Sequence, residues 1–203
     1  MDKNISNNGH PYVDLGLPSG TLWTTMNVGA SKPSDFGLYF QWGDTQGYDK
    51  DYIEKSHKTK NFSWNDYKWY NGSTFTKYAE EGDVLDLEDD AAHVNMGGEW
   101  HMPSPEQIKE LLDNATTTWT TLDGVNGMTF TSKKDGSKSI FIPAIGGAYE
   151  GTVFNSNRNG YVWSSMLSTD FVDNGQYLYL NSEDTGLYED NRCSGCCVRG
   201  VIG

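Results

Sequence analysis

Residues 104–114, SPEQIKELLDN, carry the clearest structural signal in the chain. Ser104 is a favoured N-cap residue, Pro105 suits the first helical position, and Gln107 completes a capping box with Ser104. The apolar residues that follow share one helical face: Ile108, Leu111 and Leu112. This stretch therefore predicts a helix that ends near Asn114.

On the C-terminal side of this helix, from Trp119 onward, the hydrophobic pattern changes from helical to β. Short runs of β-branched and aromatic residues alternate with turns of Gly, Asn and Asp. The runs lie at residues 128–131, 139–143, 160–163, 177–180 and 196–199. The C-terminal third is therefore expected to consist mainly of strands.

The N-terminal side of the helix contains a second helical pattern and a hairpin pattern. Apolar residues recur at helical spacing over Leu85–Val94. Acidic residues favoured by a helix N-terminus lie in its first turns: Asp86, Glu88, Asp89 and Asp90. Residues 12–23 are predicted to form a strand, a turn and a second strand. Residues 36–42 are predicted to form a short aromatic strand, and residues 43–83 a long irregular segment. The predicted fold class is α+β, with two helices.

Length and composition favour one soluble domain. The chain has 203 residues, of which 36% are hydrophobic and 13% aromatic, enough to bury a core. The net charge of −13 disfavours binding to nucleic acid or anionic lipid. The first eight residues lack the apolar run of a signal peptide, and no stretch is apolar enough to span a membrane. We therefore expect neither a leader in this chain nor membrane insertion.

The seven tryptophans fall into two groups. Five lie in or beside predicted elements and are expected in the core: Trp23, Trp42, Trp100, Trp119 and Trp163. Trp64 and Trp69 lie in the irregular segment. We expect them to fix that segment to the core, while stacking against a sugar or a partner is the alternative.

Metal and cofactor sites are not indicated by the sequence. All three cysteines lie within residues 193–197, which is too clustered for a disulfide framework, and no histidine has finger-like spacing to them. The acidic run at 86–90 offers oxygen ligands for calcium, but it lacks the spacing of an EF-hand loop and suits a helix N-terminus. We predict no metal, no cofactor and no enzymatic activity, and we expect exposed loop cysteines.

Six ordered segments resemble the Fibrobacter succinogenes major paralogous domain of Bacteroidetes surface proteins and their phages. The segments are residues 13–30, 87–92, 97–104, 140–144, 161–165 and 198–199. Together, these ordered segments extend over nearly the whole chain. The sequence departs from the usual pattern at His101, Met102 and Gly200, where Arg, Leu and Pro are common.

The resemblance implies a single C-type-lectin-like domain over residues 1–203, a fold shared with formylglycine-generating enzymes. Some such domains are variable proteins of diversity-generating retroelements, which bind receptors through a C-terminal segment rewritten at template adenines. The corresponding segment here is about 161–199. The resemblance thus implies a receptor-binding protein on a phage tail or a bacterial cell surface.

The stretch 166–197 mixes aromatic, acidic and small polar residues, as antibody-like binding surfaces do. The predicted ligand-binding residues are Met166, Thr169, Asp170, Phe171, Asp173, Asn181, Asp184, Tyr188, Asp190, Cys193, Ser194 and Cys196. Trp163, Ser164, Ser165 and Arg199 are expected to hold this surface in place. The expected partner is a protein or carbohydrate on a cell surface, and the sequence is silent on oligomeric state.

Two alternatives stay open at this point. One is an oxidoreductase similar to formylglycine-generating enzymes, with a reactive thiol among Cys193, Cys196 and Cys197. The other is a non-diversified module of a surface or fimbrial protein. Thiol titration separates the first from a binding domain, because a reactive cysteine is a thiolate near neutral pH.

Overall fold

A computed structural model describes residues 6–55 and 60–203 of the chain. Within these ranges, the α-helices are α1 (Lys50–Lys55), α2 (Ala91–Met96) and α3 (Pro105–Asn114). Short 3-10 helices occur at Trp64–Asp66 and Leu87–Asp89. None of the helices in the described ranges has the length and apolar character needed to cross a membrane.

In the part of the chain that the structure describes, strands make up the larger part of the regular structure and form four antiparallel sheets. The strands are β1 (Ser6–Asn7), β2 (His10–Asp14), β3 (Leu22–Thr24), β4 (Ala115–Leu122), β5 (Val125–Ser132), β6 (Ser139–Pro143), β7 (Gly147–Tyr149), β8 (Thr152–Phe154), β9 (Gly160–Leu167), β10 (Asn174–Leu180), β11 (Thr185–Asn191) and β12 (Val201–Ile202). The sheet orders are β1-β2-β3-β12, β4-β5-β6, β7-β8 and β11-β10-β9. The fold is therefore α+β.

The predicted helix at 104–114 is confirmed as α3. The Ser104 hydroxyl accepts a hydrogen bond from the Gln107 backbone N–H at 3.2 Å, and the Gln107 side chain accepts one from the Ser104 N–H at 2.9 Å. Ile108 and Leu111 are buried. The local capping signal and the apolar stripe thus agree with the tertiary packing.

The prediction of two helices was wrong in number and in the bounds of one helix. Instead of a helix over Leu85–Val94, a 3-10 turn precedes α2, because the Asp90 carboxylate caps the backbone N–H of His93 at 2.8 Å and starts the helix at Ala91. The third helix, α1, lies in the segment predicted to be irregular. Only Ile53 of α1 is buried, so α1 leaves no periodic signal in the sequence.

The predicted strands are mostly present. The N-terminal hairpin pairs Tyr12 with Thr24, and four of the five C-terminal runs lie in β5, β6, β9 and β10. The runs at 36–42 and 196–199 form isolated bridges instead of regular strands, such as the bridge between Phe40 and Cys196. The strand β11 was not predicted.

Two buried clusters form the core beneath the strands that carry the predicted binding segment. Trp23, Trp42, Trp100 and Trp163 are fully buried, as expected, whereas Trp119 is half-buried at the edge of the core. The Trp163 indole N–H donates to the Phe40 carbonyl at 2.8 Å. Trp69 packs against the core, so the expectation that it fixes the irregular segment is confirmed.

Candidate functional site

One face of the sheet of β9, β10 and β11 packs in the first core cluster, where Val162, Leu178 and Leu180 lie together with residues of α3. The other face carries aromatic rings, of which Trp163 and Tyr177 are buried in the second core cluster. The register places the opposite-face residues side by side across the strands: Trp163, Tyr177 and Tyr188 in one row, and Tyr161 and Tyr179 in the next. The ring centroids of Tyr179 and Tyr188 are 5.4 Å apart. We call these five rings the aromatic ladder.

Exposure increases along the aromatic ladder towards the edge strand. Trp163 is fully buried, Tyr161 and Tyr179 are half-buried, and Tyr188 keeps 46% of its surface exposed. The Tyr188 hydroxyl donates a hydrogen bond to Asp184 at 2.6 Å. An exposed ring held by neighbours is suited to contact a ligand at low entropic cost.

Most of the predicted ligand-binding residues lie on the surface. The exposed ones are Thr169, Asp170, Phe171, Asp173, Asp184, Tyr188 and Asp190, and the half-buried ones are Met166 and Asn181. Phe171 is the most exposed aromatic among them, at 56%. An exposed aromatic ring on a loop rich in polar residues is a candidate anchor for a partner.

These residues do not form one continuous patch. Asp190 pairs with Gly175 near the start of β10, beside the loop that carries Phe171 and Asp173. Asn181 and Asp184 lie beyond the other end of β10, about 20 Å away at the usual rise per strand residue. The structure therefore separates a cluster around 166–173 and 190 from a cluster around 181–184.

The predicted role of the cysteines was wrong. Cys193, Cys196 and Cys197 are all buried, so Cys193 and Cys196 do not belong to the contact surface. The cause is long-range pairing: the Gln41 side chain donates to the Cys193 carbonyl at 2.7 Å, and the Cys196 backbone bridges Phe40. Ser194 is also buried, although it lines a cleft described below.

Burial also controls the ionisation of these thiols. It raises the pKa of Cys193 and of Cys197 to about 12, and it raises the pKa of Cys196 well above its usual value. The thiolate is the nucleophilic form, so a protonated, inaccessible thiol is a poor catalyst at neutral pH.

We expect the native protein to react slowly with a thiol reagent such as DTNB, and to release three equivalents after unfolding in guanidinium chloride. Because the folded pKa values lie above the unfolded value of 9.0, the protonated thiols stabilise the fold at lower pH. That contribution is lost as pH rises from 9 to about 12. Rapid reaction of one native thiol at pH 7 would contradict this prediction and favour the oxidoreductase alternative.

Two clefts flank the first cluster of surface residues. The aromatic cleft, of about 490 Å³, is lined by Trp64, Tyr70, Ser73, Phe75, Val172 and Asp173. A second cleft, of about 320 Å³, is lined by Tyr149, Thr152, Phe154, Asp190, Asn191 and Ser194. Each cleft combines aromatic walls with an acidic residue predicted to bind ligand, Asp173 in the first cleft and Asp190 in the second. Such a composition is common in ligand sites.

Arg192 connects the walls of the aromatic cleft. It is fully buried, and its guanidinium donates to the carbonyls of Tyr78 at 2.6 Å and Val172 at 3.0 Å. The guanidinium also lies 3.7 Å from the centroid of the Phe75 ring. Burial lowers the pKa of Arg192. This side chain therefore fixes the 61–83 segment against the loop before β10.

Arg192 and the residues at 64–75 were missing from the predicted ligand-binding residues, although stacking of Trp64 and Trp69 against a sugar or a partner was the alternative for those two tryptophans. Their aromatic density was visible in the sequence, but their pairing with residues about 100 positions later was not. Trp64 lies within 5.8 Å of the Phe75 ring centroid and within 5.4 Å of that of Tyr70. The irregular segment thus supplies most of one cleft.

The acidic run at 86–90 serves the structure. Among the described residues, Asp86, Glu88 and Asp89 are the one group of possible metal ligands with their ligand atoms within 4.8 Å of one another. The Lys77 ammonium contacts all three, at 2.7, 3.3 and 2.6 Å, and Lys68 contacts Asp89 at 3.0 Å. Burial raises the pKa of Asp89, but hydrogen bonds from Lys77, Lys68 and Tyr78 outweigh it and lower the pKa. Lysines therefore already supply positive charge at this cluster.

The chain matches no protein-family model, no curated protein and no solved structure. The likeness to the major paralogous domain of Fibrobacter succinogenes therefore rests on the six sequence segments.

Proposed function

We propose that this chain is a ligand-binding domain with a C-type-lectin-like fold, which attaches a phage tail or a bacterial surface to a protein or carbohydrate on another cell. The observation that carries the proposal is the aromatic cleft. It joins Val172 and Asp173 of the predicted binding segment to Trp64, Tyr70 and Phe75. Aromatic rings beside an acidic group offer contact area together with directional hydrogen bonding.

The burial pattern supports a fixed scaffold beneath a changeable surface. Segments that carry the family resemblance pack on one another: the Arg199 guanidinium donates to the Asn27 side chain at 2.9 Å and to the Phe141 carbonyl at 3.0 Å. The Ser165 N–H donates to the Pro103 carbonyl at 2.9 Å. Substitutions at exposed positions such as Phe171 leave these contacts intact, as diversification requires.

The buried thiols favour binding over catalysis. Each of the three cysteines lies in the core with a raised pKa. A role as oxidoreductase requires an accessible thiolate. The binding proposal requires only that the cysteines pack, which their position explains.

Diversification is tested by sequencing the locus from many isolates. We expect substitutions to concentrate at exposed positions between 166 and 190 and to coincide with adenines in a nearby near-copy of the 3′ end. Evenly scattered substitutions would argue against diversification and favour a fixed surface or fimbrial module.

Binding is tested with labelled protein and a panel of Bacteroidetes isolates measured by flow cytometry. For isolates that bind, we expect Phe171→Ala and Asp173→Asn each to weaken binding about tenfold, equivalent to about 1.4 kcal/mol. Val94→Ala is the matched control, because Val94 is 51% exposed on α2 and lies outside the site. Equal binding by all three variants would contradict the proposed surface.

A further inference from the structure

A third cleft, of about 380 Å³, lies at the end of β10 remote from the aromatic cleft. We call it the asparagine cleft. Its lining residues come from four separate parts of the chain: Trp119, Asn126, Asn157, Arg158, Asn159, Asn181, Ser182 and Glu183. Of these, only Asn181 belongs to the predicted binding residues, so the cleft is largely unused by the surface described above.

The asparagine side chains are held in place by hydrogen bonds. The Asn157 side-chain oxygen accepts from the Asn126 backbone N–H at 2.7 Å, and the Asn181 side-chain oxygen accepts from the Glu183 N–H at 2.7 Å. The Asn159 amide donates to the Tyr161 hydroxyl at 3.0 Å. Asn157 also has a φ of +66°, a left-handed conformation that asparagine tolerates. Such fixed groups lose little freedom when a ligand binds.

Other polar groups of the cleft are available to a ligand. Within residues 6–55 and 60–203, the side chains of Arg158 and Glu183 make no hydrogen bond or ion pair, and both are exposed. One supplies only donors and the other only acceptors. A ligand that satisfies both must itself both donate and accept, and it needs no net charge.

Trp119 supplies an apolar surface beside these groups. It is half-buried, and it packs against the core cluster while lining the cleft. An indole ring in such a place is suited to stack against the apolar C–H face of a ligand. A pyranose ring has one apolar C–H face and a rim of hydroxyls that both donate and accept.

We propose that the asparagine cleft binds a neutral pyranose, with its C–H face on Trp119 and its hydroxyls on Arg158, Glu183 and the asparagine amides. Arg158 and Glu183 carry opposite charges, so together they add no net charge to the cleft, and the chain's net charge of −13 disfavours an anionic ligand. The assignment of the sugar to a cell-surface glycan rests on the proposed function, whereas sugar binding in the cleft does not.

The test is an NMR titration of the full chain, labelled with ¹⁵N, using the methyl glycosides of glucose, galactose, mannose and N-acetylglucosamine. We expect at least one neutral glycoside to shift the Trp119 indole N–H and the amide signals of residues 157–159 and 181–183. Arg158→Ala and Glu183→Gln should each weaken that binding about tenfold, since each removes a hydrogen bond to a charged group. Lys109→Ala and Glu99→Gln are matched exposed controls on other parts of the chain and should bind as the parent does.

Methyl glucuronide, titrated in the same way, is the anionic comparison. The inference would be overturned by no shift at these signals with any neutral glycoside, by shifts at these signals with methyl glucuronide alone, or by full binding in both cleft variants. Glycoside shifts confined to Phe171, Tyr188 and the aromatic cleft would also overturn it, while supporting the proposed function. Conversely, shifts at Trp119 in a protein that binds no cells would support the asparagine cleft and leave the proposed attachment role without support.

Discussion

Replacing Arg192 with methionine is expected to lower the free energy of unfolding by about 3 kcal/mol. The guanidinium donates to three backbone carbonyls, those of Lys77, Tyr78 and Val172. A carbonyl that loses its donor costs about 1–3 kcal/mol where it is buried, as at Tyr78, and less where it is part-buried, as at Lys77 and Val172. Relief from burying a charge offsets part of that sum. Urea unfolding followed by tryptophan fluorescence measures the change.

The same substitution should act locally before it acts globally. Arg192 stacks on Phe75 and bonds the Tyr78 carbonyl, so its loss frees the 61–83 segment from the loop before β10. Under native conditions, we expect amide hydrogen exchange at residues 75–78 to increase in the variant relative to the parent, and to increase more there than at α3. Binding of a partner through the aromatic cleft should weaken in the same variant that shows the faster exchange.

Arg158→Met is the matched control for charge and composition, because Arg158 is an exposed arginine. It should leave the free energy of unfolding within about 0.5 kcal/mol of the parent. If Arg192→Met is equally neutral and exchange at 75–78 is unchanged, Arg192 does not anchor the segment.

Elements with local signals were predictable from the sequence. The helix α3 follows from a capping box and an apolar stripe, both of which lie within eleven residues. The hairpin of β2 and β3 follows from alternating residues around a turn. By contrast, α1 buries only Ile53, and β11, at a sheet edge, has no fully buried residue, so neither shows strong hydrophobic periodicity.

The candidate site was predictable only in part, because much of it depends on pairing between distant segments. Phe171 and Asp173 were identified from composition, and both are exposed. The cysteines lie in a stretch rich in Gly and Ser that resembles a loop, yet the bridge between Cys196 and Phe40 draws it into the core. Likewise, nothing in the local sequence around Phe75 indicates that it faces Val172 across a cleft.

Replacing Arg199 with methionine is expected to cost about 3–5 kcal/mol of unfolding free energy. The residue is fully buried, and burial lowers the pKa of Arg199 to about 10. Its guanidinium donates to the Asn27 side-chain oxygen and to the carbonyls of Thr24 and Phe141. It therefore joins the first, the central and the last segments of the chain, and its removal leaves three acceptors without a donor.

A double-mutant cycle with Asn27→Leu separates this network from a general loss of packing. If the guanidinium acts through the Asn27 oxygen, the two substitutions remove one shared contact, and their combined cost should fall short of the sum by about 1–3 kcal/mol. Strict additivity in urea unfolding would show that Arg199 stabilises the fold without Asn27. In that case the contacts to Thr24 and Phe141 would have to carry the whole effect, although the 3.4 Å contact to Thr24 is long for a hydrogen bond.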